Sequence, residues 1–268
     1  MSKLLLLLLC FAWLCSSRLT FMKRFSLDSE CTEQSNEDAF KRIYDNAIWG
    51  QSIALQSPAY FYTYGQLNRL SRKSSSGPGS DIGPATAKSL EFLSEVIRER
   101  NVTSIMDIPC GDANWQFQSW EMDSLDVYAG LDVVRQVIRL NQEKFWFHSN
   151  KQFAFWDLVT CPLPRFRALG SNRAQPFDLI HVRDVIQHLP LSKAINAIDN
   201  VRRSGARWLI STSYPANTQT NGAVGEIRDG DWQPVNLHAA PFNLTPVKCV
   251  ETHPHIEPDL TCLYKISP

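Results

Sequence analysis

The sequence predicts an α/β fold with three layers, in which helices cover both faces of a doubly wound, mostly parallel sheet. Between residues 104 and 211, short apolar segments of strand length alternate with amphipathic segments of helix length, a pattern typical of parallel sheets. Two apolar segments near the C-terminus, 247–250 and 260–266, predict an antiparallel hairpin that closes the sheet. Acidic residues stand at or just beyond the ends of four successive strands, where ligands bind in such sheets.

The individual elements follow in chain order. Helices are predicted at 38–46, 85–100, 133–145 and from 191 to Gly205, and strands at 104–108, 127–131, 152–156, 177–182 and 208–211. Gly205 is expected to end the last helix as its C-cap residue. A short helix is predicted to start within Trp115–Trp120, with Asp112 as its N-cap. Residues 49–84 are rich in Gly, Ser, Pro and Tyr and are expected to form an irregular segment against the domain.

Length and charge favour one domain with an N-terminal extension. The 268 residues divide into an expected signal peptide (1–17), an extension and cap segment (18–84) and the α/β domain (85–268). Lysine plus arginine equals aspartate plus glutamate, with 27 residues each. This balance gives no electrostatic support for a nucleic-acid partner, and none is expected.

Residues 1–17 have the pattern of a secretory signal peptide. Lys3 precedes an apolar run from Leu4 to Cys15, and Cys15 and Ser17 supply small residues before a cleavage point. The run is shorter than the ~20 residues that span a bilayer. A cleaved signal and a secretory or secreted protein are therefore expected; the alternative is a membrane anchor formed by residues 4–15, and membrane contact is expected only in that case.

Sequons and cysteines bear on the same compartment. The sequons at Asn101 and Asn243 predict a glycoprotein if they lie on exposed loops. Five cysteines follow residue 17, and their odd number and spacing predict neither a disulfide framework nor a metal site. Cys249 and Cys262, on neighbouring predicted strands, are either a pair or two buried thiols. The run His253–Asp259 is interrupted by prolines and predicts a turn, so no metal is expected.

The first candidate motif is the turn Asp107–Ala113 after the first strand. Small residues at Gly111 and Ala113 allow backbone amides to approach a ligand closely. A dinucleotide fingerprint needs three glycines, and only Gly111 is present, which argues against NAD and FAD. The alternative is an ordinary tight turn between a strand and a helix.

Two further acids extend this motif. Asp132 ends the second strand, where a carboxylate accepts hydrogen bonds from the two hydroxyls of a ribose. Asp157 ends the third strand beside Trp156, where it is placed to accept from an adenine amino group while apolar neighbours stack on the ring. Each acid alone is more often a helix cap or a solvent-facing residue, but together they predict an adenosine-containing cofactor.

These segments resemble a known family. Asp107–Trp115, Tyr128–Asp132 and Phe177–Pro190 look like motifs I, II and IV of class I S-adenosylmethionine (SAM) dependent methyltransferases, and are especially similar to a branch whose first motif reads DxPCGD-NW. The resemblance extends over roughly residues 45–266, and it departs from the common motif I at Pro109 and Ala113, which replace glycines. It implies a Rossmann-like, seven-stranded sheet of order 3-2-1-4-5-7-6 in a methyltransferase-like domain.

The resemblance also implies SAM as the cofactor and assigns candidate residues. The expected cofactor-binding residues are Asp107, Pro109, Cys110, Gly111, Asp132 and Asp157. Gly77–Ser80 is expected to cap the cofactor through backbone amides, with a flexible linker as the alternative. Trp232 and Asn236 are expected to wall the acceptor pocket, and ordinary loop packing is the alternative for them.

Three catalytic candidates follow the fourth strand. Asp184 is the first choice to orient or deprotonate the acceptor, and His188, with its near-neutral pKa, suits the same role. Arg183 would fix an anionic group of the substrate. The alternatives are a mutual ion pair of Arg183 with Asp184 and a structural role for His188 at the next helix.

The predicted function is therefore methyl transfer from SAM to a small molecule, sugar or glycan. The alternative is a non-catalytic binding protein that uses a degenerate methyltransferase fold. A nucleotide-linked oxidoreductase would need a glycine-rich turn that the sequence lacks.

Overall fold

The structure is a computed structural model of the chain, and it describes six ranges of residues. These ranges are 23–32, 36–49, 73–216, 220–223, 225–252 and 259–267. The predicted signal peptide, residues 50–72 of the predicted irregular segment and residues 253–258 lie outside the described residues. Among the residues that are described, no helix has both the length and the apolar character needed to cross a membrane.

In the part of the chain that the structure describes, nine strands form one large and one small sheet. In chain order they are β1 (Phe25–Leu27), β2 (Ser104–Asp107), β3 (Val127–Asp132), β4 (Lys151–Phe155), β5 (Phe166–Ala168), β6 (Leu179–Val182), β7 (Trp208–Ser213), β8 (Pro246–Glu251) and β9 (Leu260–Lys265). The large sheet has the order β4-β3-β2-β6-β7-β9-β8. Counted from β2 along the strands of this sheet, the order is 3-2-1-4-5-7-6, as the resemblance implied.

Strand direction in the large sheet also agrees with the prediction. β4, β3, β2, β6 and β7 pair in parallel, whereas β9 is antiparallel to both β7 and β8. The residues of β2, β3 and β6 are all buried, because helices cover both faces of a parallel sheet. This explains why these strands are continuous apolar runs in the sequence and do not alternate.

Among the described residues, five α-helices complete the three layers. They are α1 (Glu37–Asp45), α2 (Pro84–Arg100), α3 (Trp120–Asp123), α4 (Arg135–Lys144) and α5 (Leu191–Arg203). Leu93 and Val96 of α2 belong to one hydrophobic cluster, and Ala194 and Ile198 of α5 belong to the other. The predicted three-layer, doubly wound fold class is therefore confirmed.

Most predicted elements end within two residues of their predicted bounds, and the exception has a physical cause. The residues after Trp115 form a 3-10 turn at Gln116–Gln118, and α3 starts only at Trp120. The N-cap of α3 is Ser119, whose hydroxyl accepts from the backbone N–H of Met122. The prediction that Asp112 caps this helix is wrong, because its carboxylate is bound by serines of a distant segment described below.

Gly205 has the predicted role at the other end of a helix. It follows the last residues of α5 with a φ of +83°, a backbone conformation that glycine adopts without a steric penalty. The predicted end of this helix is therefore confirmed.

The N-terminal extension is attached to the domain by a strand pair and a disulfide. β1 pairs antiparallel with β5, apart from the large sheet, and the ring of Phe25 meets that of Phe166 edge to face at 6.1 Å. A disulfide joins Cys31 to Cys161. Neither the small sheet nor this disulfide was predicted from the sequence.

The prediction of no disulfide framework is wrong. Besides the Cys31–Cys161 bond, a second disulfide joins Cys249 to Cys262 at facing positions of β8 and β9, so the paired alternative holds for these two residues. Cys110 is the free and buried cysteine of the described residues. His238 lies with Cys249 and Cys262 in a cluster of ligand-type atoms within 4.8 Å of one another, but both sulfurs are in the disulfide.

Candidate functional site

The predicted motif residues converge on the carboxyl edge of the sheet. The strand order reverses between β2 and β6, and the crevice at such a switch point is where doubly wound sheets bind ligands. The turn after β2, Asp132 at the end of β3 and Asp184 after β6 all border this crevice. The convergence follows from the parallel pairing, because it brings the carboxyl ends of successive strands to one edge.

Gly111 and Asp132 are in direct contact. The backbone N–H of Gly111 donates to one carboxylate oxygen of Asp132 at 3.0 Å, and the N–H of Val134 donates to the other at 2.9 Å. Burial raises the pKa of Asp132 to about 6, although these backbone donors act in the opposite direction. A largely desolvated carboxylate with two fixed N–H donors is therefore held next to the turn.

The local backbone and its neighbours explain why position 111 is occupied by glycine. Its φ is +54°, and a Cβ atom built there would lie 2.4 Å from Oγ of Ser76. The hydroxyl of Tyr44 lies 3.8 Å from the same point. Side chains of the N-terminal half of the chain therefore cover the turn from above.

Asp107 lies beneath the turn, inside the sheet edge. Its carboxylate accepts hydrogen bonds from Tyr128 at 2.6 Å, from Nδ1 of His181 at 2.8 Å and from Gln116 at 3.2 Å. The amide of Gln116 also donates to the carbonyl of Cys110 at 2.9 Å. Asp107 thus links three strands and supports the turn, and its predicted contact with a cofactor stays a prediction.

A second network fixes the far side of the turn. Ser74 donates to both carboxylate oxygens of Asp112, at 2.8 and 2.9 Å, and Ser75 donates to the same group through its N–H and its hydroxyl. Ser76 accepts from the N–H of Asp112 at 3.0 Å and shares a hydrogen bond with the hydroxyl of Tyr44 at 2.8 Å. Sequence reasoning missed this network, because a run of serines has the composition of a linker.

Asp157, just after β4, lines a small cavity. The cavity has a volume of about 30 Å³ and is lined by Pro109, Trp156 and Asp157 together with Asn36 and Phe40 from the N-terminal extension. Asn36 donates its amide to both carboxylate oxygens of Asp157, at 3.1 and 2.9 Å. A space of this size holds about one or two water molecules, so residues of the extension fill the place that the sequence predicts for adenine.

A much larger cavity adjoins the site. Its volume is about 390 Å³. It is lined by Trp49, Ser76, Gly77, Pro78, Gly79, Ser80, Asp184, Gln187, His188, Tyr214 and Trp232. The structure thus brings together four features that the sequence singled out separately: the Gly77–Ser80 segment, Asp184, His188 and Trp232.

Asn236 does not line this cavity. It is buried, its N–H donates to the side chain of Asn221 at 2.8 Å, and its side-chain oxygen accepts from the N–H of His238 at 2.9 Å. Asn236 therefore shapes the loop between β7 and β8, and the alternative of loop packing describes it better than the predicted pocket wall.

Asp184 has an unusual backbone and a fully engaged carboxylate. Its φ of +54° is uncommon for a residue other than glycine and occurs often at functional sites. The carboxylate pairs with Arg183 at 2.9 Å and accepts from Thr212 at 3.1 Å and from Gln187 at 3.4 Å. The side chain is held at the cavity wall, but its oxygens are already shared with three neighbours.

The side chain of Arg183 is held by contacts with other residues of the protein. Besides the ion pair with Asp184, its guanidinium donates to the carbonyl of Gly79 at 3.0 Å and lies over the ring of Trp115 at 5.3 Å. The alternative of a mutual ion pair is thus what the structure shows. Arg183 does not line the large cavity, so its contacts favour holding Gly77–Ser80 in place over fixing an anionic substrate.

His188 has one ring nitrogen available to the cavity. Its Nδ1 lies 3.0 Å from the carbonyl oxygen of Asp231, and because a carbonyl only accepts, this nitrogen is assigned the proton. The lone pair is then on Nε2. Burial lowers the pKa of His188 below its usual value, so the ring is neutral near pH 7. The ring of Trp49 lies against it, with centroids 4.5 Å apart.

Comparison with known proteins supports the fold of the chain but nothing beyond the fold. No protein-family model matches the chain, and no curated protein matches its sequence. One similar solved structure is the magnesium protoporphyrin IX methyltransferase ChlM of Synechocystis PCC 6803 with bound SAH, which is 12% identical in sequence. The match covers 86% of this chain and 100% of the ChlM chain, with a TM-score of 0.51. A second is the N-methyltransferase NodS of Bradyrhizobium japonicum WM9, which is 19% identical in sequence. The match covers 70% of this chain and 99% of the NodS chain, with a TM-score of 0.50.

This chain has the fold of these methyltransferases. At such low identity the likeness concerns the backbone, and the roles of individual residues rest on the geometry above.

Proposed function

We propose that the protein is a SAM-dependent methyltransferase that acts on a small molecule, sugar or glycan. One observation carries the proposal: the buried carboxylate of Asp132 contacts the turn at Gly111, beside a cavity of about 390 Å³ that Asp184 and His188 line. A cofactor held by Asp132 and Gly111 would have its reactive end toward Asp184 and His188. The likeness to ChlM, whose structures contain SAH or SAM, supports the same assignment.

The residue types at the crevice fit an adenosine. Asp132 and Asp157 are hydrogen-bond acceptors for ribose hydroxyls and for an adenine amino group, and Pro109 and Trp156 supply an apolar wall. The buried indole N–H of Trp156 has no partner among the described residues, and a buried orphan donor of this kind is rare. The space itself is filled by Asn36 and Phe40 in this conformation.

Catalysis by these residues is mainly alignment and proton acceptance. A bound SAM supplies a methyl group already activated by its sulfonium. The lone pair on Nε2 of His188 accepts the proton that an acceptor hydroxyl or amine loses. Asp184, fixed by Arg183 and Thr212, orients the acceptor, and the aromatic rings of Tyr214 and Trp232, which meet at 5.7 Å, form a wall of the pocket. On this basis His188 is a stronger candidate base than Asp184.

The alternative function is ligand binding without catalysis. The observation that favours it is the closed adenosine side of the crevice, where about 30 Å³ remains. Calorimetric titration of the purified full chain with SAM tests the cofactor site on which the proposed methyl transfer depends. We expect binding in the micromolar range, lost in Asp132→Ala and kept in the control Asp126→Ala, which changes an exposed acid just before β3, at the end of the strand opposite Asp132. Unchanged affinity in Asp132→Ala would reject this site.

Transfer itself needs a separate measurement. A metabolite and glycan screen with SAM labelled in its methyl group would identify the acceptor. A protein that binds SAM but labels nothing in such a screen would favour the non-catalytic alternative.

We further propose that the protein enters the secretory pathway, with residues 1–17 removed. The two disulfides support this proposal, because disulfides persist mainly in oxidising compartments. The sequon residues Asn101 and Asn243 are both exposed, which is the condition for glycan attachment. Glycosidase treatment and N-terminal sequencing of the expressed protein test the proposal: an intact N-terminus without glycan would contradict it, and an intact N-terminus in the membrane fraction would favour the anchor.

A further inference from the structure

The helix α1 and the residue before it lie over the adenosine side of the crevice. Asn36 and Phe40 line the small cavity there together with Pro109 and Trp156. One turn later, the hydroxyl of Tyr44 reaches Ser76 above Gly111. Asn36, Phe40 and Tyr44 are all buried by these contacts. The extension therefore occupies the crevice with one continuous face.

Asn36 presents the chemistry of an adenine edge. Its carboxamide donates to both oxygens of Asp157, and its oxygen accepts from the ammonium of Lys193 on α5. Adenine likewise offers an amino donor beside a ring-nitrogen acceptor. Asn36 thus makes the hydrogen bonds to Asp157 that the proposed function assigns to the cofactor.

Besides these buried contacts and that of Ile43 with Gly230, α1 is held at its surface side by a weak ion pair. Glu37 pairs with Arg135 at 3.0 Å near the surface, and exposed pairs of this type contribute ~1 kcal/mol or less. The outer face of α1 carries Asp38, Lys41 and Arg42, which are exposed. The Cys31–Cys161 disulfide, five residues before Asn36, ties the segment to the domain at one end. The helix is thus attached next to the crevice even when its own contacts are broken.

We propose that α1 is an autoinhibitory latch: Asn36 and Phe40 take the place of the adenosine, and the latch must leave the crevice before cofactor binds. This inference rests on the proposed function. The apparent affinity for cofactor is then the intrinsic affinity multiplied by the fraction of protein with an open latch. Weakening the latch tightens binding.

The test is calorimetric titration of the purified full chain with S-adenosylhomocysteine, the product form of the cofactor. Asn36→Ala removes hydrogen bonds to a charged group, and we expect it to tighten binding about tenfold. Phe40→Ala is expected to act in the same direction. The matched control is Asp38→Ala, which changes an exposed residue of the same helix and leaves affinity as in the unmodified protein.

A second variant guards against loss of folding. Asn36→Leu keeps the approximate size of the side chain but removes both the donor to Asp157 and the acceptor for Lys193, so it opens the latch without leaving a hole. Hydrogen exchange measured without ligand is expected to show faster exchange of the α1 amides in Asn36→Leu than in Asp38→Ala. Unchanged exchange would overturn the latch.

The outcomes also separate the latch from the proposed function. Equal or weaker binding in the three latch variants, with the unmodified protein binding, would overturn the latch and make α1 part of the cofactor site. Absence of binding throughout the series would reject the proposed function, and the latch with it.

Discussion

The two disulfides are expected to contribute unequally to stability, because they close loops of very different length. The Cys31–Cys161 bond joins residues 130 apart in sequence, and the Cys249–Cys262 bond joins residues 13 apart. Cross-linking stabilises mainly by lowering the entropy of the unfolded chain, which gives about 5 kcal/mol for the long loop and about 3 kcal/mol for the short one. The two loops do not overlap, so the contributions are expected to add.

The comparison needs two double variants, Cys31→Ala with Cys161→Ala and Cys249→Ala with Cys262→Ala. Urea unfolding without reductant, followed by circular dichroism and tryptophan fluorescence, gives the free energy of unfolding of each. The control is Cys110→Ala, which removes a buried thiol without opening a cross-link. We expect the first double variant to lose about 2 kcal/mol more than the second. An equal or reversed order would refute the entropic reasoning and assign the stabilisation to local contacts of the sulfurs.

Three further predictions concern single residues. Replacing His188 by Gln is expected to lower kcat of the proposed methyl transfer by a factor of about 10² to 10⁴ without weakening SAM binding, and His238→Gln is the control. In the unmodified protein this kcat is expected to rise with pH through a value below 6.5, the usual pKa of histidine, because burial lowers the pKa of His188. The folded-state pKa of Asp132, about 6, exceeds its unfolded value, so the native state binds more protons. The free energy of unfolding therefore falls as the pH rises from 4 to 6, by about 2 kcal/mol out of about 3 kcal/mol for the whole titration. Urea midpoints should show this slope in the unmodified protein and a smaller one in Asp132→Asn. Finally, Asp112→Ala leaves the buried donors of the serine network unpaired and is expected to cost about 3 kcal/mol of unfolding free energy, whereas Asp126→Ala costs little; equal urea midpoints would contradict this.

The sequence predicted the sheet and its edge because both depend on local patterns. Four successive strands of the sheet are short, largely apolar runs with an acid at or near the end, and parallel pairing brings those ends together without further information. The contact of Gly111 with Asp132 and the shared cavity of Asp184 and His188 follow from this rule. The same rule placed Asp107 at the edge, but it does not tell which way a side chain points, and Asp107 turns inward to Tyr128 and His181.

What the sequence did not predict depends on contacts between distant residues. Asp112 precedes a helical segment and therefore has the pattern of an N-cap, yet Ser74 and Ser75, 38 and 37 residues earlier, take its carboxylate. Cys31 and Cys161 are 130 residues apart and share no spacing pattern. β1 and β5 have three residues each, too few for periodicity to stand out.

The N-terminal segment contacts both halves of the candidate site, and this links cofactor entry to the acceptor cavity. Phe40 fills the adenosine side, its ring lies 6.0 Å from that of Trp49, and the ring of Trp49 lies 4.5 Å from that of His188. Ile43 of the same helix presses on Gly230, whose N–H donates to the carbonyl of His188 at 2.9 Å. A helix that leaves the crevice therefore cannot keep all of these contacts with the acceptor loop. Under the proposed latch, binding at one half is therefore expected to alter affinity at the other, and thermodynamic linkage makes that effect equal in both directions.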